Sequence, residues 1–149
     1  MIKELTLKNG LLDIKQGIVV HQVNCMNAIG AGLSGAICKK YPKVEEQYRK
    51  IFKTYSSKEI YGYAQDVIIN CNLVVVNLFS QYGYGAGKKH TNYNKLINGL
   101  KTIAHNHPGA EIYIPYNIGC GLGGGDWNEL YKLIKNELND FSITIVSKE

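Results

Sequence analysis

The chain is short and mildly basic, which narrows the classes of protein that it can belong to. Its 149 residues suffice for one domain with its own core, so we predict a single domain over residues 1–149. No apolar run approaches the roughly 20 residues that span a bilayer, and the first residues lack the basic and apolar blocks of a signal peptide. Four scattered cysteines without a C-x-x-C pair argue against a zinc site and fit a reducing cytoplasm. The net charge of +5 suits an anionic ligand or an ordinary lysine-rich surface.

Apolar periodicity predicts strands and helices that alternate along the chain. Period-two alternation and β-branched runs predict strands, whereas apolar residues at i, i+3 and i+4 predict helices. Pro42 separates two predicted helices, because the residue before a proline disfavours helical geometry. Asn70-Cys71-Asn72 lies between two apolar runs and predicts a hairpin. The predicted strands cover 3–8, 17–23, 67–69, 73–79, 112–116 and 143–146, and the predicted helices cover 32–41, 42–55, 91–107 and 126–139.

This alternation predicts an α/β fold of three layers, α/β/α, with a central mixed sheet. In such sheets ligands bind beyond the carboxyl ends of the strands. Two glycine-bearing loops, 24–32 and 117–127, fall there, each between a predicted strand and a predicted helix. Glycine leaves backbone amides open to a ligand, and a helix N-terminus attracts anions. The pair of loops therefore predicts a phosphate-bearing ligand.

A third glycine-bearing stretch, 79–90, has two readings. Tyr82 and Tyr84 are able to stack on a base while Lys88 and Lys89 approach phosphates, which would make the stretch a mobile lid. The alternative is a flexible loop with solvated lysines. Its composition does not decide between them.

Three side chains beside these loops are candidates for chemistry. Asp126 is placed to cap the last helix or to act as a base beside the ligand, and the two roles can coexist. His21 ends the buried strand, where it is either a satisfied core residue or an acid or base. Cys120 lacks the arginine that a cysteine phosphatase carries about six positions later, since position 126 is aspartate. We expect Cys120 to pack rather than react.

Common nucleotide motifs do not account for the glycines. Residues 30–35 match G-x-G-x-x-G, but six residues separate Val23 from Gly30, and no acidic residue closes a second strand about 20 residues later. Neither glycine loop contains the G-K-[ST] of a phosphate-binding Walker loop. Both of these nucleotide-binding classes are therefore disfavoured.

Taken together, the loops resemble the macrodomain family of ADP-ribose binders. The resemblance spans nearly the whole chain in order and is greatest to the compact microbial branch of ADP-ribose 1″-phosphate phosphatases. The terminal ADP-ribose glycohydrolases are the next nearest group. The matching residues are His21-Gln22-Val23-Asn24, Gly30-Ala31-Gly32-Leu33, Ile118-Gly119-Cys120-Gly121-Leu122 and Asp126-Trp127.

The resemblance implies where each part of an ADP-ribose ligand would bind. Asn24 and the stretch 79–82 would border the distal ribose, the two glycine loops would wrap the diphosphate, and the backbone at Leu11 would meet the adenine. The ligand-binding residues that it implies are Leu11, Asn24, Gly30, Ala31, Gly32, Leu33, Phe79, Ser80, Gln81, Tyr82, Ile118, Gly119, Cys120, Gly121, Leu122 and Gly123.

Two departures from the family pattern matter. Asn9-Gly10-Leu11 stands where many macrodomains have G-D-I, so the adenine-reading aspartate is absent unless Asp13 replaces it. Gln81 and Gly123 stand near the positions where the terminal glycohydrolases have a lysine and an aspartate. A lysine-adduct mechanism is therefore disfavoured unless Lys88 reaches inward.

The leading functional hypothesis is hydrolysis of ADP-ribose 1″-phosphate to ADP-ribose and phosphate. Asp126 or His21 would activate a water, Asn24 would orient the distal ribose, and glycine amides would stabilise the phosphoryl group without a metal or cofactor. The alternatives are removal of ADP-ribose from a protein or nucleic acid, and a non-catalytic module that sequesters an ADP-ribose-like nucleotide. A basic nucleic-acid binder is a fourth, weaker reading. We expect a cytoplasmic monomer whose partners are an ADP-ribose derivative and an ADP-ribosylated macromolecule, with no membrane partner.

Overall fold

Six strands form one mixed sheet in the computed structural model, which describes residues 1–85 and 87–149. The strands are β1 (Ile2–Leu7), β2 (Gly17–Asn24), β3 (Ala64–Ile68), β4 (Leu73–Gln81), β5 (Ile112–Pro115) and β6 (Ile143–Lys148). Their order is β1-β6-β5-β2-β4-β3, and every neighbouring pair is parallel except the β3–β4 hairpin. The helices are α1 (Gly32–Lys40), α2 (Pro42–Ile51), α3 (Ser57–Ile60), α4 (Tyr93–Asn106) and α5 (Trp127–Glu137).

Helices cover both faces of the sheet, which explains why its central strands carry runs of consecutive apolar residues, Ile18–Val20 in β2 and Leu73–Val76 in β4. In β2, the neighbouring residues Val19 and Val20 point to opposite faces, and both are buried. Val20 packs in the cluster that contains residues of α4 and α5, whereas Val19 packs in the cluster that contains residues of α1 and α2. The predicted three-layer α/β/α fold with a mixed sheet is confirmed.

Two single-turn elements lie outside the predicted pattern. A 3₁₀ turn covers Gly10–Asp13, and the four-residue helix α3 begins with a capping box between Ser56 and Glu59. Both are too short to show an apolar period. Helix α2 ends at Ile51, four residues before the predicted end, because Lys53 and Thr54 bond carbonyls three residues back and turn the chain.

The three central strands decide where a ligand can bind. Strands β5, β2 and β4 are parallel neighbours, so the segments after them, 25–31, 82–85 with 87–92, and 116–126, meet at one edge of the sheet. Both glycine loops from the sequence therefore lie side by side there. Within residues 1–85 and 87–149, no helix has the length and apolar character that crossing a bilayer requires.

Candidate functional site

A cavity of about 770 Å³ opens at the carboxyl ends of β2, β4 and β5. Its described lining residues include no aspartate, glutamate, lysine or arginine. A ligand in it would therefore meet backbone amides, hydroxyls, carboxamides and apolar side chains. The predicted site residues that line the cavity are His21, Asn24, Gly30, Ala31, Gly32, Leu33, Gln81, Ile118, Gly119, Gly121, Leu122 and Gly123.

The N-terminus of α1 forms one wall of this cavity. Its N-cap is Ala31, whose methyl side chain cannot accept a hydrogen bond from the first turn. The amides of Gly32, Leu33 and Ser34 therefore have no intrahelical acceptor, and all three residues line the cavity. Added Cβ atoms at Gly30 and Gly32 would have no neighbour within 4 Å, and both residues have positive φ, at 135° and 56°. This wall is an open row of hydrogen-bond donors with the positive end of a helix behind it.

Side chains of α2 hold the loop that leads into α1. The buried Tyr48 hydroxyl donates to Asn24 Oδ1 at 2.9 Å and accepts from the Ala28 amide at 3.1 Å. Arg49, the only arginine in the sequence, donates to the Asn27 carbonyl oxygen at 2.7 Å. The Asn24 Nδ2 group donates to the Ala28 carbonyl oxygen at 2.6 Å. Asn24 lines the cavity as predicted, but its carboxamide also organises the loop.

The glycines of the opposite wall divide into two groups. Cβ atoms at Gly123, Gly124 and Gly125 would lie 2.2–2.8 Å from Thr91, Lys88 and Gly119, so these three glycines allow the loop to pack closely on the segment before α4 and on itself. Gly119 does the same with a φ of 71°. Only Gly121 has no neighbour within 4 Å of an added Cβ, although its φ is outside the positive range. Four of these glycines are thus required by the packing of the loop itself, and Gly121 is the one whose open space leaves room for a ligand.

A network of side chains ties the glycine loop after β5 to the ends of β2 and β4. Gln22 Nε2 donates to Gln81 Oε1 and to Thr91 Oγ1, both at 2.9 Å. The Thr91 hydroxyl donates in turn to the Gly119 carbonyl oxygen at 2.6 Å. Ser80 donates to Gln22 Oε1 at 2.6 Å. Because β2, β4 and the loop after β5 all contribute, this network fixes the glycine loop relative to the strand ends.

His21 lines the cavity, yet its ring has no free nitrogen. Nδ1 lies 2.8 Å from Ser34 Oγ, and Nε2 lies 2.5 Å from Asn77 Oδ1. The side chain is 1% exposed, and this burial lowers the pKa of His21 from 6.5 to about 4. The imidazole is therefore neutral near pH 7, and both of its nitrogens are engaged by neighbouring side chains. This arrangement disfavours the predicted role of His21 as a general base.

Asp126 and Cys120 lie outside the cavity lining. The Asp126 carboxylate accepts from the amides of Asn128 at 2.9 Å and Glu129 at 3.3 Å, so the predicted capping role is confirmed. The cavity lining includes His21 and Asn24 but not Asp126, so the catalytic role of Asp126 stays a prediction. Burial, and secondarily the charge of Asp126, raises the pKa of the Cys120 thiol to about 11, which favours packing over nucleophilic attack.

The remaining predicted contacts are placed deeper in the fold or beside the cavity. Leu11, Phe79 and Ser80 are buried, and Tyr82 stacks edge-on against Tyr61 at 5.1 Å between ring centroids. None of the four lines the cavity, because the strand and the 3₁₀ turn direct these side chains into the core or along the loop. Their ligand contacts stay predictions.

Neither Asp13 nor Lys88, the two residues offered as replacements, lines the main cavity. Asp13 accepts from the Asn9 amide at 2.8 Å, and that backbone bond lowers the pKa of Asp13. Lys88 and Lys89 line a separate cavity of about 290 Å³ that shares Gly121 and Leu122 with the main one. Lys89 Nζ lies 3.7 Å from the centroid of the Tyr93 ring. Lys88 therefore does not supply the inward lysine that an adduct mechanism needs.

Comparisons with known proteins agree with this architecture, although no family model matches the chain. The chain is 24% identical over 158 residues to the ADP-ribose 1″-phosphate phosphatase of Saccharomyces cerevisiae, covering 86% of this chain and 88% of that protein. A protein of unknown function from Bacteroides thetaiotaomicron superposes with a TM-score of 0.80 at 28% identity, with 98% of each chain covered.

A second solved structure decides the fold. The macrodomain of Mycobacterium tuberculosis DarG superposes with a TM-score of 0.78 at 19% identity, over 99% of this chain and 97% of that one. The chain has the macrodomain fold. Thermosipho africanus DarTG, solved with ADP-ribose, superposes with a TM-score of 0.69 at 18% identity, over 90% of this chain and 38% of that protein. The resemblance to macrodomains that the sequence motifs indicated is thus confirmed.

Several residues that shape this macrodomain cavity carried no role in the sequence analysis. Ser34 lies on the first turn of α1, two residues after Gly32, and this closeness to the glycine loop is the sequence feature that could have marked it as a cavity residue. Tyr116 directly follows β5 and stands at the cavity edge, 52% exposed, with its ring 5.1 Å from that of Trp127. Tyr48 and Thr91 gave no local signal, because the groups that they bond lie 24 and 28 residues away.

The buried, neutral His21 predicts a pH dependence of stability. Its pKa is depressed in the folded state, so the unfolded chain binds the extra proton as pH falls below 6.5. We expect His21 to lower the free energy of unfolding by about 2 kcal/mol between pH 7 and pH 5. Urea unfolding at both pH values measures this change. A His21→Asn variant should lose this part of the decrease, whereas His105→Asn, at an exposed position, should retain it. An identical pH dependence in His21→Asn and the wild type would contradict the assignment.

Proposed function

We propose that the chain binds ADP-ribose or a derivative of it in the main cavity, with the diphosphate between α1 and the loop 117–123. The observation that carries this proposal is the set of uncapped amides at Gly32, Leu33 and Ser34 facing a glycine-bearing loop across one cavity. Neutral amides and a helix dipole favour an anion without a lysine or arginine. The lining also has no aspartate or glutamate that would repel one.

The size and chemistry of the cavity support a dinucleotide-sized ligand. A volume of about 770 Å³ lies within the usual range for small-molecule sites. Ile29, Leu33 and Leu122 offer apolar surface to a base or the faces of a sugar, and Tyr84 and Tyr116 offer aromatic rings. The ADP-ribose in the name of the yeast relative and in the Thermosipho africanus structure points to the same ligand class.

Hydrolysis of ADP-ribose 1″-phosphate is the reaction that we propose for this site. The similarity to the yeast phosphatase along 86% of this chain supports it. Hydrolysis of a phosphate monoester passes through a loose transition state, in which positioning and electrostatic stabilisation contribute more than a base. Amides of the two walls are suited to that task, because they are fixed donors in a partly enclosed site. The absence of an acidic side chain from the described lining is therefore compatible with this reaction.

Pure binding is the second candidate, and one observation favours it. Neither Asp126 nor His21 offers a free basic atom to the cavity, since the first does not line it and the second is bonded through both nitrogens. A module that holds ADP-ribose, or removes it from a macromolecule, would release no phosphate. The assays below separate these outcomes.

Gly121→Ala should weaken binding of ADP-ribose without unfolding the protein. An added Cβ has open space and no positive φ to strain, so it projects into the cavity where the diphosphate would lie. We expect the Kd to rise at least about tenfold, as for a methyl group forced into a filled site. Isothermal titration calorimetry with ADP-ribose measures the change.

The matched control for this variant is Asn136→Ala, which also leaves a methyl side chain, at an exposed position of α5. It should bind as the wild type does. Wild-type affinity in Gly121→Ala, at an unchanged melting temperature, would contradict the placement of the diphosphate. No heat of binding in the wild type would contradict the proposed ligand.

The purified wild-type protein should release inorganic phosphate from ADP-ribose 1″-phosphate. Asp126→Asn is the informative variant, because asparagine caps a helix as well as aspartate does but has no basic carboxylate. We expect its kcat to remain within about threefold of wild type, since loss of a general base would cost about 100-fold or more. A colorimetric phosphate assay measures both rates. Absence of phosphate release with intact ADP-ribose binding would contradict the phosphatase proposal and favour pure binding or removal of ADP-ribose from a macromolecule; release of free ADP-ribose from an ADP-ribosylated protein distinguishes these two.

A further inference from the structure

A hydrogen-bond network of polar side chains runs from α2 through the buried interior to the cavity wall. Gln65 Nε2 donates to the Gln47 carbonyl oxygen at 2.9 Å, and Asn77 Nδ2 donates to Gln65 Oε1 at 3.0 Å. His21 Nε2 faces Asn77 Oδ1, and His21 Nδ1 faces the hydroxyl of Ser34. Within the described residues, no buried side-chain nitrogen or oxygen lacks a partner, so every polar group of this hydrogen-bond network is paired.

Backbone carbonyls fix the donor and the acceptor of every hydrogen bond in this network. The carbonyl oxygens of Gln47 and Val44 can only accept, so the amide nitrogens of Gln65 and Asn77 must face them. Asn77 Oδ1 then faces His21 and accepts, which requires the ring hydrogen to be on Nε2. A neutral imidazole carries only one such hydrogen. His21 Nδ1 is therefore an acceptor, and the hydrogen between it and Ser34 belongs to the serine.

This direction leaves the Ser34 hydroxyl without a hydrogen to offer a ligand. Its single hydrogen points to His21 Nδ1 at 2.8 Å, and the carbonyl oxygen of Gln22 is a longer contact at 3.3 Å. The lone pairs of Ser34 Oγ remain, and Ser34 lines the cavity. A phosphate oxygen has no hydrogen to give to such an acceptor, whereas a sugar hydroxyl does.

We propose that Ser34 is a specificity-determining residue whose hydroxyl accepts a hydrogen bond from a ribose hydroxyl of the ligand. The inference rests on the proposed function, because it assigns one contact within the same cavity. His21 and Asn77 act through Ser34 as positioning residues. The surrounding α1 amides bind the anionic part of the ligand, and Ser34 binds a neutral, hydroxyl-bearing part beside it.

Nitrogen-15 NMR of the histidine rings tests the hydrogen-bond direction without any ligand. The expected result is a His21 ring protonated at Nε2 and unprotonated at Nδ1. The Nδ1 resonance should shift in Ser34→Ala and remain unchanged in Ser57→Ala, a serine in the first turn of α3 that does not line the cavity. A His21 ring protonated at Nδ1 would overturn the proposal, since Ser34 would then accept from the histidine.

Calorimetry then tests the contact with the ligand. Ser34→Ala should bind ADP-ribose about tenfold more weakly, the usual effect of one lost hydrogen bond, while Ser57→Ala binds within about twofold of wild type. Alanine is a good helix former, so α1 should be retained. An equal loss with ADP assigns the hydroxyl to the adenosine ribose, and a loss with ADP-ribose alone assigns it to the distal ribose.

The two kinds of failure are distinguishable. Wild-type protein that does not bind ADP-ribose overturns the proposed function. Wild-type binding that Ser34→Ala leaves unchanged overturns the role of Ser34 and leaves the proposed function standing.

Discussion

Parallel pairing of β5, β2 and β4 is the constraint on which the rest of the site depends. Parallel neighbours end at the same edge, so the loops after these three strands must share one region of space. The strands are apolar on both faces because α1 and α2 cover one side and α4 and α5 the other. Burial of Val19, Val20, Val75 and Val76 thus holds the strand ends in place, and the site follows from the core.

Side chains outside the cavity fix the loops that form its walls. Tyr48 and Arg49 bind the loop before α1, while Thr91, itself held by Gln22, binds the glycine loop after β5. Bonds of this kind order the amides before a ligand arrives, and preorganised groups lose less entropy on binding. Glycine supplies close packing at 123–125 and open space at Gly121. The same residue type therefore serves two purposes within one loop.

The fold and the location of the site could be predicted from the sequence, because both rest on local patterns. Apolar periods mark the strands and helices, and glycines mark loops wherever they occur. Roles that depend on distant partners could not be predicted. His21 Nε2 is hydrogen-bonded to Asn77, 56 residues away, so this nitrogen is not free to act on a ligand. Which glycines pack against other segments and which face open space depends on neighbours such as Lys88 and Thr91, and the sequence of the loop does not reveal these neighbours.

The central claim is that the diphosphate of ADP-ribose binds between the first turn of α1 and the loop 117–123. A crystal structure of the protein with ADP-ribose tests it most directly. The account predicts phosphate oxygens within hydrogen-bond distance of the amides of Gly32, Leu33 or Ser34 on one side and of the glycine loop on the other. A diphosphate seated instead on Lys88 and Lys89 in the smaller cavity, or a main cavity empty at saturating ligand, would contradict it.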